Sequence, residues 1–325
     1  MTNKEYENTL INKLNEARPN NKESSHKQYV RCLKLLSKKN KEDDFNNIDF
    51  AKDRELVGNL TTDLSDSTKR NYLTACANIL RLEEKNDDLD IIIKYYEDKV
   101  KEYNTQYKKD NSETSEISAK QKPAFDIGME GLIDMMYKME RDVLKNPTTY
   151  LAYMVYQILL RHPLRNEIGT LEKITLSKFN KLKLNDELVK NYLVIPSNIY
   201  KKPLTIVSTN YKTDDKYGIK KVDIVDKTLR KKIMDYIKYT GNTNTGALFE
   251  NNNVPVNEKS LTDILLYQSK KYTTDNIGIG TTMFAKITIS HETSEIHSIM
   301  KEKAIARGHS IGIQSLTYIK TSSKE

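Results

Sequence analysis

Cysteine is scarce in this 325-residue chain: there are two, Cys32 and Cys76, both at apolar positions of predicted helices, with no Cys-x-x-Cys pair or Cys/His cluster beside them. That scarcity excludes a disulfide framework or a zinc site as the organising element and makes a reducing compartment the default. Long apolar runs are also lacking. The longest, around 151–160, is too short to span a bilayer, and the opening MTNKEYENTLINKLNEARPN has no apolar core of the kind a secretory leader carries. A soluble, intracellular protein with no membrane partner is expected. No internal repeat stands out, and nothing in the sequence asks for a metal ion or a cofactor.

What the chain does have is length and positive charge. Its length suits two domains, each able to bury its own core. Lys and Arg number 53 against 45 Asp and Glu, a formal net charge of +8. Such a balance favours a polyanionic partner, because cations that neutralise phosphates release counterions. A Lys-rich solvated surface is the other reading of the same number, and charge alone does not separate them.

The first hundred residues are helical in pattern. Ser24-Ser25 suits the cap of a helix carrying Tyr29, Cys32, Leu33 and Leu36 on one face. A second helix is expected after Ser67, with Tyr72, Cys76, Ile79 and Leu80 facing inward and Lys69, Arg70 and Arg81 facing outward. A third covers 91–103. The stretch NTQYKKDNSETSEISAKQ has hardly any apolar residues, which suits a linker. The expected divisions are therefore a helical extension over 1–23, a helical domain over 24–103, a linker over 104–122 and a second domain over 123–325. In that last part helices are expected through 129–144 and 150–160, separated by Asn146-Pro147. NYLVI, PLTIVST and KKVDIV read as strands, and helices return over 226–239, 258–270 and onward. The predicted fold class is mainly α with a small antiparallel sheet.

Near the C-terminus Gly308-His309-Ser310 is followed, nine residues after the histidine, by Tyr318. Such a spacing brings a phenol beside an imidazole only where the chain turns back. Upstream, Arg165 closes an apolar segment in LLRHPLRNEIGTL, and Lys212 lies in STNYKTDDKYGIKKVDI, which reads as two short strands around a polar turn. The order of arginine, hairpin lysine, Gly-His and tyrosine resembles the tyrosine recombinase family of site-specific DNA integrases. PLRNE and NYKT are most similar to its divergent viral and mobile-element members.

The resemblance implies a two-domain DNA breaking-rejoining architecture closing as a clamp on duplex DNA. It also implies a cofactor-free reaction in which Tyr318 forms a 3′-phosphotyrosyl bond on double-stranded DNA carrying a specific recombination site. Arg165 would present a planar fork to the non-bridging phosphate oxygens, a task that suits guanidinium better than ammonium. Glu167 would support that arginine, although PLRNE by itself also reads as an ion-paired helix cap. Arg161 and His162 compete for the first role, as Lys216, Lys220 and Lys221 compete with Lys212. Lys212 would protonate the 5′-leaving oxygen. His309 would hydrogen-bond the phosphate; His26, His162, His291 and His297 read as structural or surface residues. Lys69, Arg70, Arg81 and Lys286 are the candidate DNA-backbone contacts.

One expected part is missing. The family carries a second arginine, often in a His-x-x-Arg string, and in GTTMFAKITISHETSE its place falls on Ala285, with Thr282 where the histidine belongs and Lys286 following. An alanine offers no donor to developing charge. Three accounts compete: a deliberate substitution that slows cleavage, a substitute cation in Lys286, or a decayed, binding-only relative; the first is preferred, because Phe-Ala-Lys-Ile reads as Phe-Arg-Lys-Ile with one residue changed. The seven residues beyond Tyr318 are a short tail, so a chain that stays monomeric until DNA assembles a dimer on a site and a tetramer in synapsis is expected. A type IB topoisomerase and a non-catalytic DNA-binding protein are the alternative functions.

Overall fold

The computed structural model describes residues 2–41, 44–113, 117–241 and 243–306, and the chain divides into two compact units, Met1–Ser115 and Glu116–Glu325. The first unit is entirely helical among these residues: α1 (Asn3–Ala17), α2 (Glu23–Lys39), α3 (Arg54–Thr61), α4 (Asp66–Leu80) and α5 (Asp87–Glu113). Thr2 caps α1 through a reciprocal bond with Glu5, which satisfies two N–H groups that a helix start otherwise leaves open. Leu10 and Leu14 of α1 join Leu33, Leu36, Cys76, Ile79, Leu80 and Tyr96 in one core. Helix α1 is thus part of that core and not an extension from it.

Three other expectations for this unit are corrected. Helix α2 begins at Glu23, with Lys22 at its cap position and no side-chain cap bond, so Ser24-Ser25 lie inside its first turn. Lys69 and Arg70 are half-buried on α4, and only Arg81 is exposed. The 104–122 segment is helical as far as Glu113, because α5 continues past Tyr103. Polar composition misled here: Asn104 accepts from Arg70 Nη1 at 3.1 Å and the Tyr107 ring lies 5.5 Å from the same guanidinium, so hydrogen bonding and cation–π contact hold that turn in place of apolar burial.

The second unit contains α6 (Lys122–Phe125), α7 (Gly128–Glu140), α8 (Pro147–Leu159), β1 (Glu172–Thr175), α9 (Leu176–Leu184), β2 (Tyr192–Ile195), β3 (Leu204–Ser208), α10 (Asp214–Tyr217) and β4 (Lys220–Ile224). It continues with α11 (Lys227–Tyr239), β5 (Gly246–Ala247), the β6–β7 ribbon (Glu250–Asn251 and Val254–Pro255), α12 (Glu258–Tyr272) and α13 (Thr281–Ala306). Asn146 caps α8, its Oδ1 accepting from the N–H groups of Thr148 and Thr149, and Pro147 occupies the first helical position, where its missing N–H costs nothing. Every residue from Thr149 to Leu159 is buried, so α8 is the central rod of this unit.

The sheet is mixed and not purely antiparallel. Its order is β4-β3-β2-β1-β5, and β1 runs parallel to β2, with Glu172 opposite Tyr192 and Thr175 opposite Ile195. The crossover that parallel pairing needs is α9, whose Phe179 packs with Ile174, Tyr192 and Val194 on one face of the sheet. Alternate residues Leu193 and Ile195 face the other side, in the core shared with α8, α11 and α12. Strand β2 is buried on both faces, which is why its YLVI string carries no charged residue.

Asp226 starts α11, accepting from the backbone N–H groups of Thr228 and Leu229 and from Arg161 Nε. The Leu229 hydrogen bond, with those of Arg161 and Thr228, holds its carboxyl below the ordinary value of 3.8 against the opposing effect of burial. A carboxyl lowered in this way stabilises the fold above pH 3.8, and that contribution fades as acidification passes the lowered value. Asp226→Asn is expected to cost about 0.5–1 kcal/mol near neutral pH and to show a smaller acid loss than the parent, read from urea midpoints measured across the acid range. No helix among the described residues is long and apolar enough to cross a membrane.

Candidate functional site

Arg165 stands just before the 3₁₀ turn Asn166–Thr170, in the chain that leaves the buried end of α8. Its side chain is exposed and makes no hydrogen bond or ion pair among the described residues. Arg161, four residues earlier, is committed elsewhere: Nε donates to Asp226 Oδ2 and Nη1 donates to the backbone and side-chain oxygens of Gln157. His162 is half-buried, and burial and the adjacent Arg161 charge lower its pKa. Of the two arginines in LLRHPLRNE, Arg165 is the one left to meet an external group.

Its neighbour Asn166 explains why the turn stays in place. Asn166 Nδ2 donates to Thr262 Oγ1 of α12 at 2.9 Å, while its Oδ1 accepts from Thr281 Oγ1 in the first turn of α13. Gly169 lies so close to α12 that an added Cβ would meet Leu261 at 3.1 Å and Val256 at 3.3 Å. The turn is thereby fixed to two helices far from it in sequence.

Lys212 occupies the 209–219 connection between the antiparallel strands β3 and β4. That connection contains one helical turn, α10, where the sequence suggested only a polar turn. Its start is held by Asn191, which is 4% exposed: Oδ1 accepts from the N–H groups of Thr209 and Asn210, each at 3.0 Å, and Nδ2 donates to Thr170 Oγ1 and to Asn210 O. One amide therefore joins the Arg165 turn to the lysine loop. Further along, the Tyr211 hydroxyl donates to Gly218 O at 2.6 Å, and burial, with nearby Asp214 and Glu167, raises its pKa. Lys220 lies over the Tyr211 ring at 4.3 Å and Lys216 over the Tyr217 ring at 5.1 Å. Lys212 is exposed, without a partner among the described residues. Asn191→Ala would leave these backbone groups without their partner, and a loss of about 1–3 kcal/mol is expected in urea unfolding, with greater protease sensitivity at 209–219.

Helix α13 provides the third wall. Phe284 is fully buried and stacks on Tyr156 of α8 with ring centroids 5.1 Å apart, and the Tyr156 hydroxyl lies within reach of the carbonyls of Leu265 and Ile279. With Phe284 anchored, the next two residues, Ala285 and Lys286, face an open cavity of about 800 Å³. Arg165, Glu167, Lys212, Thr282, Ala285 and Lys286 all line it. Three stretches of sequence thus line one cavity.

The details depart from expectation in two respects. Glu167 is buried at 8% exposure, yet its carboxylate forms no ion pair with Arg165. Lys286 Nζ donates to Gln121 Oε1 at 2.8 Å, so the candidate substitute cation is already in a hydrogen bond with a residue just ahead of α6. The cavity nonetheless favours an anion: Arg165, Lys212 and Lys286 face Glu167 and Glu258, and the first turn of α13, at Thr281 and Thr282, adds the positive end of a helix dipole. Two unpaired cations and an N-terminal helix turn around one space suit a phosphate group better than a carboxylate-rich or apolar ligand.

The helical-unit candidates are engaged within their own unit. Lys69 lies 3.8 Å from Asp66, Arg70 binds Asn104, and Arg81 pairs with Glu97. His26, read as structural, is fully buried, with Nδ1 2.6 Å from Asn15 Oδ1. His309 and Tyr318 lie outside the described residues. Among those that are described, no group of three or more His, Cys, Asp or Glu side chains is placed to hold a metal ion.

Asn166 and Asn191 are the site residues that sequence reasoning missed. Asn166 sits inside PLRNE, where nothing local signals a partner 115 residues away. Asn191 opens a predicted strand, and its buried amide gives no periodic signal. Comparison with protein-family models, with curated proteins and with solved structures found no match to this chain.

Proposed function

We propose that this chain is a DNA strand transferase of the tyrosine recombinase type, which cleaves and rejoins duplex DNA at a specific site through a 3′-phosphotyrosyl intermediate and so integrates or excises a viral or mobile genome. The observation that carries the proposal is the convergence of Arg165, Lys212 and Ala285 on one cation-rich cavity, in the chain order the resemblance requires.

In the reaction the Tyr318 oxygen attacks phosphorus, the bond to the 5′-oxygen breaks, and one proton passes in net from the phenol to that oxygen, with Lys212 delivering it. Arg165 holds the non-bridging oxygens and His309 donates to the same phosphate. A second DNA 5′-hydroxyl reverses the step, so the bond energy is kept without hydrolysis. The working form is a dimer on each site and a tetramer in synapsis, and the protein works inside the cell that holds its target genome.

A second reading is favoured by one feature. Ala285 offers the cavity only a methyl group, and Lys286 is hydrogen-bonded to Gln121, so a DNA-binding relative without strand transfer fits the same cavity. Incubating the chain and its Ala285→Arg variant with nicked duplexes that trap cleavage products separates the two. A covalent adduct mapped by mass to Tyr318 supports strand transfer; adduct from neither protein, with DNA binding intact, leaves the binding-only reading.

A further inference from the structure

We infer that Lys286 is a phosphate-binding cation of the cavity and that Gln121 is the residue that positions it. This deepens the function proposed above and rests on it, since the phosphate is the one that Arg165 and Lys212 would hold.

Three cations line the cavity, and they are held differently. Arg165 and Lys212 are exposed and have no partner among the described residues, whereas Lys286 is half-buried and its Nζ donates to Gln121 Oε1 at 2.8 Å. Two carboxylates, Glu167 and Glu258, line the same space, yet Lys286 forms an ion pair with neither. The acceptor decides what the ammonium can still do. A carboxylate would cancel its charge; a neutral amide oxygen leaves the full charge in place and takes one of three N–H donors. Two donors remain for an oxyanion, and a bond to phosphate, charged at both ends, is stronger than one to an amide.

Both ends of the Lys286–Gln121 bond are anchored. The Gln121 N–H donates to Ser118 O at 2.8 Å, and its carbonyl accepts from the Phe125 N–H at 3.0 Å. Ala124, Phe125 and Ile127, which follow it, pack on the core that contains Phe284 and Ile287, the buried residues on either side of Lys286 in α13. A lysine on a free surface samples many rotamers. A fixed acceptor selects the few that keep Nζ beside the cavity, so the ordering that phosphate would otherwise impose is already done. Composition places Gln121 in a polar connecting stretch, 165 residues from the lysine, and only the fold joins the two.

The test measures binding of inorganic phosphate to the full chain by phosphorus NMR line broadening, with Arg165→Ala as the reference for the cavity. Lys286→Met keeps the stem and removes the charge; it should weaken binding ~10-fold, the effect of one lost charged hydrogen bond. Gln121→Met, similar in size and without an acceptor, should weaken binding ~3-fold in the parent and not at all when Lys286→Met is already present. A Gln121→Met loss that is equal in both backgrounds, or no loss at all, overturns the positioning role. Binding that falls with Arg165→Ala but ignores Lys286→Met overturns the inference and leaves the proposed function standing. Phosphate that does not bind, or that binds regardless of Arg165→Ala, removes the anion site and the proposed function with it. Melting curves check that each variant is folded, and Lys286→Gln or Gln121→Leu replaces one that is not.

Discussion

Ala285→Arg is expected to raise the rate of Tyr318–DNA adduct formation ~10²- to ~10³-fold, the effect of restoring one donor to charge that develops only in the transition state. The structure makes the substitution physically reasonable. Ala285 lines a cavity of about 800 Å³, so a guanidinium has room, and the buried Glu167 carboxylate that lines the same cavity has no ion-pair partner to displace. Arginine should outperform lysine here, because its planar fork meets two phosphate oxygens at once, whereas an ammonium acts as a point charge. Glutamine, uncharged and of similar reach, serves as the steric control. The measurement is the single-turnover rate of adduct formation with excess protein, so that changes in DNA affinity do not enter. An unchanged rate would show that position 285 contributes nothing to charge stabilisation and would remove the main reason for placing the second arginine there.

The second large effect concerns stability. Phe284→Ala is expected to cost about 3–5 kcal/mol in urea or thermal unfolding, since it removes a fully buried ring and leaves a hole beside Tyr156. Phe284→Leu, which keeps most of the volume, should cost less than about 1.5 kcal/mol. The contrast matters because Phe284 is the anchor that aims Ala285 and Lys286. If both variants lose equally, overall packing of α13 is not what the aromatic contact supplies. If Phe284→Ala unfolds without affecting the first unit's transition, the two units also melt independently.

Several elements could be read from residues alone, and the reasons are local. NYLVI, PLTIVST and KKVDIV became β2, β3 and β4 because β-branched and apolar residues bounded by Pro, Asn and Asp have few other options. Asn146-Pro147 marked the start of α8 for the same sort of reason. Strand β1 was missed: EKIT is four residues long, half polar, and becomes a strand only by pairing with β2 in parallel, a contact no local pattern encodes. Helix α9 was missed with it. The polar tail of α5 misled in the opposite direction, since lack of apolar residues argued for a linker while Arg70 held the segment helical.

The site divides along the same line. Arg165, Lys212 and Ala285 were legible only through an ordered resemblance, because each lies in a short string that by itself has an ordinary reading. What tells Arg165 from Arg161 is the Asp226 carboxylate, which takes one guanidinium and leaves the other, and that partner is 65 residues from the arginine it binds. The asparagines that tie the walls together gave no sequence signal at all, since a buried amide is defined by its partners and not by its neighbours.

The bond between Asn166 and Thr281 has a consequence during synthesis. Its two ends are 115 residues apart, so a chain still on the ribosome has its arginine turn long before it has the helix that fixes it. The cavity does not exist until α13 has emerged and docked. A growing polypeptide therefore carries its arginine turn unpinned until Thr281 has left the ribosome.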